Sequence, residues 1–264
     1  MADASQLLGR TLLLVAHPDD ETVGCGTLLQ RMAAPIVIFA TDGAPRDQYF
    51  WGKYGARLRY QRIREDEARK ALALIGVSEV KFFGSEPVAN GEVIVDQELY
   101  LQLPDAFERL TRLVELNRPE AILTLAYEGG HPDHDCCSFL AASLVTRFKL
   151  PAWEFPLYFR SSSGEPIRQQ FVSPDPGGEE AFIAPTPEEL VKKQAMLQAY
   201  SSQHPFLLDF NPTVELFRPQ RKYDYSRPPH SGALNYEAWG WPITSADLCI
   251  AFRDFAAHYS AVSQ

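Results

Sequence analysis

Four short apolar runs, each stopped by a turn and followed by a helix-length stretch, restrict this chain more than anything else in it. They are Thr11–Ala16 (TLLLVA), Ile36–Thr41 (IVIFAT), Val80–Phe83 (VKFF) and Ala121–Ala126 (AILTLA). Runs this continuous suit strands buried on both faces of a parallel sheet. Between and after them lie helix-compatible stretches at Asp20–Ala33, Arg57–Ile75, Gln97–Leu116 and Asp133–Phe148. Gly76 closes the second stretch, where a glycine supplies a left-handed cap at little cost. Strand and helix in repeated alternation, with short links, require right-handed crossovers. The expected fold is therefore α/β, a Rossmann-like, doubly wound, mostly parallel sheet.

Beyond Leu150 the pattern changes. Thirteen of the twenty prolines fall between Pro151 and Pro242. Trp153–Arg160 reads as a strand, Pro187–Tyr200 as a helix, and the remainder, including Arg218–Trp241, as ordered loops. No flexible linker precedes this part, so a single domain over 1–264 is expected, with a core of about 1–150 and a loop-rich C-terminal elaboration packed on it. The chain is long enough to bury a core without disulfide or metal staples. Its 45% hydrophobic and 22% charged residues exclude a disordered, collagenous or membrane-spanning chain. A formal charge of −9 argues against nucleic acid as a partner. The four cysteines include the adjacent pair Cys136-Cys137 and form no disulfide framework. The N-terminal apolar run LLLVA is too short for a signal or a span, so a cytoplasmic protein is expected.

One device occurs twice. The first apolar run leads into His17-Pro18-Asp19-Asp20-Glu21, and the fourth into His131-Pro132-Asp133-His134-Asp135. Proline at a helix start and carboxylates in the first turn have an ordinary explanation in capping and the helix dipole. That explanation does not account for imidazoles and carboxylates at the ends of two strands over 100 residues apart. Residues three apart on a helix share a face, so His17 and Asp20 can point to one spot, as can His131 and His134. In a doubly wound sheet the strand ends flanking the reversal of strand order form the binding crevice. Two imidazoles and a carboxylate with an open position make a catalytic zinc pattern, and Fe²⁺ or Co²⁺ can use the same ligands. Spacing alone leaves open His131 in place of His134, and Asp19 in place of Asp20.

The strings AHPDDE (16–21) and HPDH (131–134) resemble the LmbE-like/PIG-L family of zinc-dependent de-N-acetylases. The resemblance continues through Thr41-Asp42-Gly43, Arg64-x-x-Glu67 and Tyr200-x-Ser202-Gln203, in the family's order. It implies one Zn²⁺ per chain, held by His17, Asp20 and His134. It further implies Asp19 as general base, His131 as the group steadying the oxyanion, best as imidazolium, and Arg64 as a substrate contact. Some members carry a tyrosine two residues before the first His of the second motif. Gly129 stands there in this chain, and the nearest tyrosine, Tyr127, becomes the candidate substrate contact. The implied reaction is removal of an N-acetyl group from a small amino sugar or its conjugate, releasing acetate and an amine. Relatives often assemble, so a homo-oligomer fits the resemblance.

Other signals are weaker. Asp42, Asp133 and Asp135 are candidates for orienting ligands from behind. Asp42 also suits a turn, Arg64 also suits a solvated charged helix, and Glu21 suits a cap or a ligand-orienting role. Cys136 and Cys137 read as buried inert thiols. His204, His230 and His258 have no partners at ligand spacing and read as structural. Gly24-Cys25-Gly26 is no dinucleotide fingerprint, because Leu29 occupies the third glycine position. The aromatic segment Tyr223–Trp241 packs a loop or lines a sugar subsite. Two rivals to the deacetylase are a metal-dependent phosphoesterase, which wants two metals, and a non-catalytic metal- or ligand-binding module. A spare base and a spare imidazole at the open face favour the deacetylase.

Overall fold

The computed structural model describes residues 3–87, 93–173 and 180–262. Its strands are β1 (Thr11–Val15), β2 (Ile36–Phe39), β3 (Val80–Phe82), β4 (Ala121–Leu125), β5 (Ala152–Phe155), β6 (Tyr158–Arg160), β7 (Pro166–Arg168), β8 (Ala181–Phe182) and β9 (Leu216–Pro219). The helices are α1 (Asp20–Leu29), α2 (Gln48–Trp51), α3 (Arg57–Ala73), α4 (Leu103–Asn117), α5 (Pro132–Phe148), α6 (Pro187–Ala199), α7 (His204–Leu207), α8 (Asn235–Ala238) and α9 (Ser245–Val262).

Seven strands form one sheet in the order β3-β2-β1-β4-β5-β9-β8, and β6 pairs with β7 alongside. β3, β2, β1, β4 and β5 are mutually parallel, whereas β9 runs antiparallel to both β5 and β8. Every residue of β1, β2 and β4 is buried, the pattern of strands covered by helices on both faces. From β1 the chain winds out through β2 to β3, then returns to place β4 on the other side of β1 and β5 beyond it. The order thus reverses between β1 and β4, and the crevice beyond their carboxyl ends is where such folds bind ligands. His17 and His131 both stand at that crevice.

The four apolar runs and the helices between them lie where the hydrophobic pattern predicts, with differences at the edges. Ala126–Gly130 separates β4 from the second motif, so that strand does not lead into His131 directly. The stretch from Gln97 becomes helical only at Leu103, after a short 3₁₀ turn. The expected strand Trp153–Arg160 is two strands, because proline at position 156 interrupts it and the next two amides turn to the Glu128 carboxylate. Within the expected loop region, Leu216–Pro219 is a sheet strand and Asn235–Ala238 a helical turn. The final helix α9 was not foreseen; its Leu248, Phe252 and Phe255 are buried at one helical face. No helix among the described residues is long and apolar enough to cross a membrane.

α1 carries Asp20 and is buried along its whole length. Its middle is anchored by Glu215, whose carboxylate accepts the Thr27 and Leu28 amides at 2.6 and 3.0 Å. Lys193 of α6 completes the anchor, donating to Glu215 at 2.6 Å and to the Val23 carbonyl at 3.1 Å. The C-terminal part thereby grips the helix on which the first motif sits.

Candidate active-site cleft and metal centre

The two His-Pro-Asp segments meet. The ring centroids of His17 and His131 are 4.3 Å apart, those of His17 and His134 5.3 Å, and those of His131 and His134 5.1 Å. Asp20 lies between His17 and His134, with Oδ2 3.5 Å from His17 Nδ1 and Oδ1 3.3 Å from His134 Nε2. The His17 amide also donates to Asp20 Oδ2 at 2.8 Å, which fixes the carboxylate across the helix start. On its other side His17 Nε2 lies 3.2 Å from Asp133 Oδ2. A carboxylate can only accept, so Nε2 donates to Asp133, and Nδ1 faces the Asp20 carboxylate, where a proton or a cation can sit between them. Asp133 is itself fixed by the Gln97 and Leu99 amides at 2.7 and 3.1 Å. A carboxylate behind one imidazole nitrogen is the usual support of a metal-ligating histidine.

His131 differs from its neighbours. It is the N-cap of α5, and its Nδ1 accepts the Asp133 amide at 3.1 Å. In the neutral ring the proton therefore sits on Nε2, which faces Asp96 Oδ1 at 3.4 Å. Burial, and then the neighbouring His17, push the His131 pKa down to about 4. This corrects the expectation of an imidazolium: the ring is a neutral N–H donor around neutral pH. For His17 burial opposes the charge, but the carboxylates of Asp96, Asp133 and Asp20 outweigh it and raise its pKa. Asp20 and Asp96 are likewise held well below the usual carboxylate range, Asp20 chiefly by His134 and Asp96 chiefly by His17, against the cost of burial.

Asp19 stands apart from this cluster, on the adjoining turn. Its backbone has φ 132° and ψ −31°, a conformation that non-glycine residues rarely adopt. Its amide donates to Glu21 Oε2 at 3.1 Å, and its Oδ2 pairs with Arg64 Nη2 at 3.1 Å. Burial pushes its carboxyl up to about 8, with Arg64 pulling against that rise. The Arg64 guanidinium is spent on the turn, donating to the carbonyls of Pro18 at 2.7 Å and Gly43 at 2.6 Å. It lines the cleft, but its geometry is that of a clamp on Asp19 rather than a free substrate arm.

The remaining expected residues divide. Asp42 is buried, pairs with Arg57, and accepts the amides of Ala44 and Asp96 at 3.0 and 3.1 Å. It supports the site through Asp96. Asp135 accepts the amides of Glu128 and Gly129 at 3.1 and 3.0 Å and meets no imidazole, so its task is the loop before His131. Tyr127 is a correction to the sequence expectation. It is buried among Tyr223, Tyr225 and Phe252, donates to the Arg227 carbonyl at 2.8 Å, and does not line the cleft. Asp96 was missed, although it faces both His17 Nε2 and His131 Nε2. The run Ile94-Val95 ending at Asp96 repeats the style of the other strand-to-acid junctions, and that was the available signal.

The lone pairs of the cluster suit a cation. Neither ring nitrogen of His134, a residue only 1% exposed, makes an aligned hydrogen bond, its Nε2 meeting Asp20 Oδ1 only as an ion-pair contact at 3.3 Å, and Asp96 Oδ1 meets the imidazoles of His17 and His131 in the same way. Buried polar atoms left so cost about 1–3 kcal/mol each, which a bound cation removes. Donor atoms from His17, His131 and His134 lie within 4.8 Å of one another, as do those from His17, Asp96, His131 and Asp133. Nitrogen and carboxylate donors of this kind suit zinc and its first-row neighbours.

Above the cluster opens a cleft of about 930 Å³. Its walls include Trp241, 5.0 Å from the His131 ring, and Trp239, 5.1 Å from Trp241 and 48% exposed. The aromatic segment thus splits, with Trp239 and Trp241 facing the cleft and Tyr223 and Tyr225 packed inward.

The sequence pattern of the family described as PIG-L: GlcNAc-PI de-N-acetylase matches residues 12–145, which hold both motifs and the reversal of strand order. The chain belongs to that family. It is accordingly a de-N-acetylase hydrolase of the PIG-L, LmbE-like type. No curated protein matches the chain. Among solved structures it is similar to a deacetylase–teicoplanin complex from the biosynthesis pathway of teicoplanin, with TM-score 0.59 and 18% identity over 81% of this chain and 99% of that one. It is similar also to the N,N'-diacetylchitobiose deacetylase of Pyrococcus horikoshii, with TM-score 0.52 and 19% identity over 80% of this chain and 83% of that one. The 4-carboxy-2-hydroxymuconate hydratase of Pseudomonas putida KT2440 shares the fold as well, with TM-score 0.50 and 18% identity over 81% and 98%. The last likeness shows that the PIG-L fold alone does not choose a reaction; the site must.

Proposed function

We propose that this PIG-L family member hydrolyses the acetamide of an N-acetylated amino sugar carried on a larger conjugate, with one divalent metal, zinc in the first instance, held by His17, Asp20 and His134. The observation that carries this reading is the position of Asp20 between His17 Nδ1 and His134 Nε2, with neither His134 nitrogen in an aligned hydrogen bond. When bound, the cation supplies Lewis acidity toward water and the amide carbonyl. Asp19, on the non-helical turn just before Asp20 and ionised beside Arg64, accepts the proton of the attacking water. His131 Nε2–H donates to the carbonyl oxygen as negative charge grows there, an effect typically worth about 3–4 kcal/mol. The C–N bond then breaks, Asp19 returns the proton to the departing nitrogen, and acetate and a free amine leave. Asp133 keeps His17 in the tautomer that binds metal, and Arg64 keeps Asp19 in place.

The cleft supports a substrate larger than one sugar ring. Its volume stands near the upper end of the roughly 300–1,000 Å³ of small-molecule sites. Trp239 and Trp241 offer flat faces on which a sugar ring can lie, beside the proposed oxyanion donor. One solved neighbour, teicoplanin deacetylase, is known in a zinc-inhibited form, so Fe²⁺ and Co²⁺ belong in the same test. Metal-free protein, reconstituted with one equivalent of each ion, is to be assayed for acetate release from N-acetylglucosamine glycosides. Release that depends on the added metal supports the reading; metal-loaded protein that releases no acetate from any of them overturns it.

A further inference from the structure

We propose that the turn Tyr200–Gln203 is the positioning device that holds Asp19 in its strained conformation; this rests on the reading of Asp19 as the base. A residue kept at φ 132° returns to an ordinary conformation unless its surroundings over-determine it. Two side chains do so at Asp19. Its amide is held by Glu21, and its carboxylate and the preceding carbonyl are held by Arg64. Neither holder is anchored by its own element alone. Both are secured by the same four-residue turn, about 180 residues away from Asp19 in sequence.

The first arm is short. Tyr200 donates its hydroxyl to Glu21 Oε1 at 2.5 Å, leaving Glu21 Oε2 for the Asp19 amide. Both side chains are fully buried, so water cannot replace the bond. The second arm runs through α3. Tyr60, Arg64 and Glu67 are four and three residues apart and share one face of that helix. Glu67 accepts from the Ser201 hydroxyl at 2.8 Å and from the Ser202 amide and hydroxyl at 2.8 and 2.6 Å. Gln203 donates to the Tyr60 hydroxyl at 2.7 Å. The turn therefore grips the α3 face on either side of Arg64. Tyr200 and Ser202 do not line the cleft and act through Glu21 and the α3 face that carries Arg64; Gln203 lines it as well as holding Tyr60.

Tyr200→Phe keeps the buried ring and removes only the long-range donor to Glu21 Oε1, leaving the local one from the Thr22 hydroxyl. In the metal-loaded protein, amide exchange in the segment 16–22 should quicken about tenfold, as loss of one net hydrogen bond allows. The turnover of N-acetyl substrate should fall by about tenfold to a hundredfold, with KM and metal content unchanged, because the base is misplaced while binding is intact. A residue that only stabilised the fold would lower the melting temperature and leave kcat per folded molecule alone. Exchange in 16–22 equal to that of the unaltered chain overturns the proposal, and so does an unchanged kcat. Should Tyr200→Phe not fold, Ser202→Ala removes one bond from the other arm and should quicken exchange in the same segment by a smaller factor. Absence of deacetylation by the unaltered chain would refute the reading of Asp19 as base, whereas quickened exchange would still establish the clamp.

Discussion

At the residue scale, two adjacent aspartates at one helix start are given opposite environments. Asp20 faces two imidazoles that stabilise its charge, while Asp19 is buried beside one guanidinium and has a raised pKa. Such a divergence separates a metal ligand from a proton carrier. Asp19→Ala should retain zinc, measured by elemental analysis, and lose about 10²–10⁴-fold in kcat. His17→Ala should lose the zinc itself. Trp239→Ala should raise KM for an N-acetylated glycoside by about tenfold with kcat held, the mark of lost uniform binding. The residues legible in sequence were those whose partner lies three positions away, as with His17 and Asp20. Asp96 was not legible, because its partners His17 and His131 lie far off in sequence and only the sheet brings them near. Arg64 was obscured by the charges around it, although Tyr60, Arg64 and Glu67 at one helical face mark the side of α3 that turns inward.

At the element scale, the position of α1 depends on a buried ion pair from the C-terminal part. Lys193 and Glu215 have no exposed side-chain surface, and Glu215 also holds two α1 amides. Lys193→Met should destabilise the chain by about 3–5 kcal/mol, because it strands a buried carboxylate. Chemical denaturation measures this, and a loss below 1 kcal/mol would show that α1 is held otherwise. Phe252→Ala on α9 should cost a similar amount, as a large-to-small change in a packed cluster with Phe139 and Tyr225. The strands and first helices were legible because each is specified by its own hydrophobic period. β9 and α8 were read as loop because each is short and proline-flanked, and only pairing with β5 and β8 makes Leu216–Pro219 a strand. The break at proline 156 was visible in sequence, but the Glu128 carboxylate that accepts the turned amides was not.

At the scale of the whole molecule, the site exists because the sheet reverses its order between β1 and β4. That reversal sets two chain segments side by side, and each contributes only part of the His/Asp cluster. The family match ends at residue 145, yet the C-terminal part supplies Trp239, Trp241 and the turn that bonds Glu21 and Glu67. The position of the cation decides the account most directly. Anomalous scattering at the zinc edge, from crystals grown with one equivalent of zinc, locates it without reference to activity. The expected peak lies in contact with His17, Asp20 and His134. A peak bound instead by Asp96, His131 and Asp133, with Asp20 and His134 unengaged, would contradict the account.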